Sequence, residues 1–167
     1  MNCPSCGAPL HLDPEQDYCQ CDYCKGYYFP DQNEEGVRVF GEPASMDCPL
    51  CAVPLFHATM GGLRFLYCSQ CRGMLISMEI FAGLTEELRA QAGARPMILR
   101  PPDQRELDRH ISCPQCREAM DTHRYGGPGN VIIDSCSRCY LNWLDHGELM
   151  RVVRAPDHSL RVEGEQA

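Results

Sequence analysis

The sequence predicts a small, metal-dominated, mostly β fold: three β-hairpins in tandem, with short helices after the second and third. Three observations predict it. Twelve of the 13 cysteines fall into six C-x2-C pairs. The pairs alternate in kind, CP-x-C and then a second C-x2-C, and the alternation runs three times along the chain. Glycines number 14 and prolines 13, whereas only 8 % of the 167 residues are aromatic, so turns are plentiful and material for one large core is scarce.

The repeat supplies the chemistry. CPSC at 3–6 is answered by CDYC at 21–24, CPLC at 48–51 by CSQC at 68–71, and CPQC at 113–116 by CSRC at 136–139. The intervals between partners are 14, 16 and 19 residues. Paired C-x2-C motifs at this separation are the spacing of a four-cysteine zinc site. The predicted ligand sets are Cys3, Cys6, Cys21 and Cys24; Cys48, Cys51, Cys68 and Cys71; and Cys113, Cys116, Cys136 and Cys139. About three structural Zn2+ ions per chain follow from one ion per four thiolates. A disulfide framework or a set of buried hydrophobes would have no reason to repeat the phase. Pro4, Pro49 and Pro114 pre-set the turn between two thiolates, and Gly7, Gly26 and Gly73 follow cysteines where a positive φ is expected.

Taken in order, residues 1–30 read as zinc ribbon 1, 31–45 as an acidic linker and 46–76 as ribbon 2. Residues 77–92 read as a helix, 93–111 as a linker, 112–145 as ribbon 3, 146–155 as a short helix and 156–167 as a flexible tail. In ribbon 1, Cys19 is the odd thiol. Aligning Lys25-Gly26 with Arg72-Gly73 makes Cys21 the ligand and leaves Cys19 as a half-buried strand residue. GG at 61–62 and GGPG at 126–129 are hairpin turn signals, and FLY at 65–67 and VII at 131–133 are strand-like runs. Ser77 is placed to cap a helix whose Ile80, Phe81, Leu84 and Leu88 share one face, with Gly83 as a potential break. Asp103 with Glu106, and Asp145 with Glu148, have the spacing of capping boxes. Trp143, the one tryptophan, is expected to cover its own hairpin and shield the thiolates.

The third unit, CPQCREAM followed by IDSCSRCYLNWLDHGEL, resembles the bacterial zinc-ribbon family named after transcription factor IIB. Cys113, Cys116, Cys136 and Cys139 match its ligands, and Trp143, Leu144, Asp145, Gly147, Glu148 and Leu149 match its tail. Leu141 stands where the family has glycine, which implies an altered turn. Units 1 and 2 keep the cysteines and the glycines at 26 and 73 but not the tail. The resemblance implies a ribbon fold, bound zinc and a link to transcription.

Charge narrows the function. Residues 1–46 carry 2 basic and 8 acidic side chains, and the whole chain carries −8. Four thiolates around one Zn2+ leave −2, so three filled sites would take −8 to −14. Nonspecific binding to DNA phosphates needs a basic face, so nucleic acid is not the favoured partner. The ten arginines between 95 and 161 are interleaved with carboxylates and read as a mixed, solvated surface. The start MNCPSCGAPL has no basic cluster or apolar run, and no window is long and apolar enough to span a bilayer, so a soluble cytoplasmic chain without membrane attachment is expected. Thirteen thiols then belong to metal chemistry rather than disulfides.

Closed four-thiolate sites leave no open coordination position, and no nucleophile stands beside a base, so the chain is expected not to be an enzyme. The expected role is a binding module for protein partners. A rubredoxin-like iron electron carrier, a zinc storage or delivery protein and a nucleic-acid-binding ribbon are the alternatives. The histidines at 11, 57, 110, 123 and 158 lack ligand spacing and read as surface residues. Asp145, His146 and Glu148 read as a helix start rather than an acid–base cluster. Each ribbon is expected to be held by its own ion, so Cys136→Ser would unfold the third unit alone.

Overall fold

A computed structural model describes residues 1–12, 18–92, 101–125 and 130–155. Ribbon 1 is a three-stranded antiparallel sheet of β1 (Leu10–Leu12), β2 (Cys19–Cys21) and β3 (Tyr27–Tyr28), in that spatial order. Strand β4 (Arg38–Asp47) follows, then β5 (Pro54–Met60), β6 (Leu63–Tyr67), β7 (Met74–Ser77) and helix α1 (Met78–Ala92). The last part holds α2 (Gln104–Asp108), β8 (Asp121–Arg124), β9 (Ile132–Cys136), β10 (Leu141–Leu144) and α3 (Glu148–Arg154).

Ribbons 2 and 3 are not separate bodies. Strands β4-β5-β6-β7-β10-β9-β8 form one seven-stranded sheet. The seam is the antiparallel pair β7–β10, in which Leu75 faces Trp143 and Met74 faces Leu144. Both Leu75 and Trp143 lie four positions after the last cysteine of their ribbons. The two ribbons thus meet through equivalent strands, with a local pseudo-twofold between Leu75 and Trp143. This corrects the expectation of three independently held units.

Alternation along the seam strands explains why both faces are dry. Met74, Ile76 and Leu144 point to one side, where they pack with Phe65, Phe81, Leu84, Leu149 and Val152 beneath α1 and α3. Leu75 and Trp143 point to the other, where they pack with Leu55, Ile111, Met120 and the buried cysteines of both ribbons. A hairpin of two or three strands has too little apolar area to hold itself; pooling two ribbons makes a core on each face.

Residues 38–47, which fall largely in the expected acidic linker 31–45, are an edge strand paired to β5. Gly41 and Pro43 disguise it in the sequence. Proline is tolerated on an edge, and the β4–β5 register shifts around Pro43. The preceding turn is fixed by Asn33, whose Oδ1 accepts from the backbone N–H of Glu35 and Val37. Phe40 on β4 is buried against Leu10 and Cys19, which joins ribbon 1 to the large sheet.

Helix α1 starts where expected: Ser77 Oγ accepts from the Ile80 N–H at 3.2 Å. It runs through Gly83 without a break. Phe81 and Leu84 are buried, and Ile80 and Leu88 pack at the margin of the same cluster. Asp103 caps α2 through the Arg105 N–H. The expected linker 93–111 therefore contains a helix, α2, and its last residue, Ile111, is buried in the core. The GGPG turn, residues 93–100 and the tail 156–167 lie outside the described residues.

Candidate metal centres

Six knuckles share one backbone recipe. The residue after each second cysteine adopts a left-handed conformation: Gly7 (φ 76), Lys25 (59), Ala52 (54), Arg72 (62), Arg117 (65) and Tyr140 (55). Five of these residues donate their N–H to the carbonyl of the knuckle's first cysteine: Gly7 to Cys3, Lys25 to Cys21, Ala52 to Cys48, Arg72 to Cys68 and Arg117 to Cys113. That turn points both sulfurs to one side. The positive φ expected at Gly26 and Gly73 therefore falls one residue earlier. Gly73 is required for another reason: a Cβ there would lie 2.2 Å from Cζ2 of Trp143. Trp143 covers the knuckle of ribbon 2 across the seam as well as its own hairpin, and its buried indole donates Nε1–H to Asp145 Oδ1 at 3.0 Å.

The knuckles bring twelve sulfurs into three groups: Cys3, Cys6, Cys21 and Cys24; Cys48, Cys51, Cys68 and Cys71; and Cys113, Cys116, Cys136 and Cys139. Within each group the ligand atoms lie within 4.8 Å of one another. All are free thiols. Closest sulfur pairs are Cys6–Cys21 at 3.5 Å and Cys3–Cys24, Cys48–Cys71 and Cys116–Cys136 at 3.6 Å. A regular tetrahedron around zinc with Zn–S near 2.3 Å has edges of about 3.8 Å, so each group fits the ion.

Four ionised thiols can share such a site only with a cation among them. In ribbon 1 the Ser5 N–H, with help from other neighbours, holds the Cys3 thiol down at about 6. Cys6 receives the Ala8 N–H, yet partial loss of solvent around its sulfur and the adjacent Cys21, Cys24 and Cys3 sulfurs push it up to about 12. Burial first, and then neighbouring sulfurs, push Cys139 up to about 12 and raise Cys71 as well. Without an ion, the first thiolate in a site resists the next. A divalent metal lets four coexist.

The sites differ in shelter. Cys6 and Cys24 are exposed, whereas Cys51, Cys71, Cys116 and Cys139 are only partly so. A colorimetric chelator is therefore expected to strip ribbon 1 first, releasing about one zinc equivalent quickly and about two slowly. Three equal release rates would contradict this. Cys19 is fully buried rather than half-buried and stands outside the tetrad, packed with Leu10 and Phe40; burial pushes its thiol up, away from reactive thiolate character.

The Asp145–Glu148 signature forms only half a capping box. The Asp145 N–H donates to Glu148 Oε2 at 2.7 Å, but α3 begins after Gly147 with no side-chain cap. The Asp145 carboxylate is instead held by Trp143 and by Arg109, which also grips buried Asp134 at 2.8 Å. His146 turns away to Glu35 at 2.9 Å, and Glu35 also accepts from Tyr67. Beside the three sulfur groups, Glu106, Asp145 and Glu148 converge as an acidic one. The carboxylate of Asp145 and Oε2 of Glu148 already have protein partners, so this group serves the fold.

Burial, augmented by Asp145 and Glu106, pushes Glu148 up to about 8. The folded state then holds this proton more tightly than the unfolded chain. Its stabilisation is full below the ordinary carboxylate range and is lost as pH rises toward 8. Glu148→Gln is expected to be more stable than the parent at pH 8.5, by on the order of 2 kcal/mol, and to lose that advantage toward pH 5. Denaturant titrations at several pH values check it; a pH-independent difference would contradict the assignment.

Among the described residues no histidine joins a sulfur group: His11 meets Asp22, and His123 meets Asp121. His158 lies outside the described residues.

Fold and sites together define a tandem zinc-ribbon protein, with three four-cysteine sites suited to structural zinc. Residues 112–155, the third ribbon and its helix, match the family described as transcription factor zinc-finger, the TFIIB-type zinc ribbon. No curated protein and no solved structure matches the chain. Among the described residues no helix is long and apolar enough to cross a membrane.

Proposed function

We propose that the chain is a non-enzymatic adaptor whose zinc-held ribbons present recognition surfaces to protein partners, in the setting of cytoplasmic transcription. One observation carries the reading: every tetrad already supplies four thiols, so a bound ion has no open position for a substrate or an activated water. Zinc here fastens surfaces.

Protein is favoured over nucleic acid by charge and by the fate of the arginines. Arg109 is locked between Asp134 and Asp145, and Arg138 pairs with Glu118. Arg89 and Arg151 donate to the carbonyls of Val152 and Asn130. These side chains are already engaged within the chain, Arg138 in an exposed pair, and the filled sites deepen an already negative charge. The transcription setting rests on the family match of the third ribbon.

An electrophoretic shift series with random duplex DNA at rising salt tests the preference. Weak retention at every salt concentration is expected; tight binding with a steep salt slope would overturn it. Metal analysis should return about three zinc ions in colourless protein. Red, iron-loaded protein would favour electron transfer instead.

A further inference from the structure

We propose that β3 of ribbon 1 is an open sheet edge that accepts an extended, lysine- or arginine-rich segment of a partner protein as a fourth strand. The inference deepens the adaptor reading and rests on it.

The internal repeat shows what the third strand of such a ribbon does. Tyr28, Leu75 and Trp143 each lie four positions after the last cysteine of their ribbons. In ribbons 2 and 3 the strands bearing these residues pair with each other, Leu75 opposite Trp143. In ribbon 1 the equivalent strand pairs with β2 alone among the described residues. The backbone is set for a partner. The Cys21 N–H donates to the Gly26 carbonyl at 2.9 Å, as the Cys68 N–H does to Gly73. Alternation along an antiparallel ladder then turns the N–H and C=O of Tyr27 away from β2. The matching residue of ribbon 2, Met74, pairs across the seam with Leu144.

The side chains beside this edge suit recognition better than protection. Natural edges are usually blunted by charge. Here Tyr27 is 61 % exposed and Phe29 50 %. Both make edge-to-face contacts with Tyr18, at centroid distances of 4.9 and 5.5 Å. Aromatic faces attract ammonium and guanidinium groups.

Charge selects the occupant. Residues 1–46 carry 8 acidic and 2 basic side chains, and one of the two, Arg38, donates to the Pro30 carbonyl. A filled tetrad adds −2. A second copy of this ribbon would meet like charge, whereas a cationic strand meets complementary charge and gains main-chain hydrogen bonds.

The test uses fluorescence anisotropy of the zinc-loaded full chain at physiological salt. Three labelled decapeptides serve as probes: alternating Lys and Val, alternating Lys and Pro, and alternating Glu and Val. The Lys/Pro peptide keeps the charge but lacks an N–H at every second position. The Lys/Val peptide is expected to bind at least tenfold more tightly than Lys/Pro, and Glu/Val not at all. Tyr27→Pro, which removes the outward N–H, and Phe29→Ser are each expected to weaken Lys/Val at least tenfold while zinc content stays at the parental level. Equal affinity for Lys/Val and Lys/Pro would overturn the proposal, as would undiminished binding by both variants. A parent that sediments as a dimer, and a Tyr27→Pro variant that sediments as a monomer, would assign the edge to a second copy and overturn it too. If the peptides fail but the Tyr27→Pro chain still captures the parent's protein partner, the edge assignment falls and the adaptor reading stands. Failure of the parent to capture any protein removes the adaptor reading itself.

Discussion

Cys136→Ser is expected to unfold ribbons 2 and 3 together and to leave ribbon 1 with its ion, dropping zinc from about three to about one per chain. Cys136 ends β9, is buried, and belongs to the third tetrad. Losing a thiolate there removes most of a contribution of roughly 10–16 kcal/mol, which is comparable to the whole stability of a small domain. The damage does not stop at the ribbon boundary. Strand β10 supplies the partner of β7, Trp143 covers Gly73, and α3 packs with α1 over the shared core. Without ribbon 3, Leu75 and Ile76 would face water. Hydrogen exchange checks the expectation: amides of 54–77, 121–125 and 130–144 should lose protection together, while those of 1–12 and 18–28 keep theirs. Protection of 54–77 that survives the substitution would show that the second ribbon stands alone.

The second large effect is expected at Gly73. A methyl group there would enter the indole of Trp143 at 2.2 Å, far inside contact distance. Neither partner has room to retreat, since Trp143 is fully buried and lies on a paired strand. Gly73→Ala should cost about 3 kcal/mol, the upper end for forcing a methylene into a packed core. The equivalent change in ribbon 1, Gly26→Ala, meets only Cys24 Sγ at 3.4 Å and should cost under about 1 kcal/mol. Trp143→Leu should lower stability alone, yet lower it much less when Gly73 is already alanine. That non-additivity, read from chemical denaturation of the four proteins, measures the contact between the ribbons. Additive effects would mean that the two residues do not meet.

The tetrads were legible because ligand spacing is a local property. Two residues between cysteines set a turn, and the interval to the next pair sets a hairpin; neither depends on distant chain. The caps at Ser77 and Asp103 were legible for the same reason. Three readings failed where a local signal met a distant partner. Gly73 looked like a backbone requirement, but its hydrogen atom makes space for an indole seventy residues on. Asp145 looked like a helix cap, but its carboxylate is taken by Arg109 and Trp143. Residues 38–45 read as linker, but they belong to an edge strand, Arg38–Asp47, which tolerates the glycine and proline that interrupt it.

Which sulfurs group by fours is readable from the chain alone, because a metal ion needs its ligands at short, countable spacings. The order of the three hairpins is readable there too. Tertiary packing alone settled that two of them fuse through β7 and β10 and that, among the described residues, the equivalent strand of the first pairs on one side only, with β2. Strand pairing is chosen by which apolar faces can be buried together, and that choice is made among surfaces that exist only once each hairpin has closed.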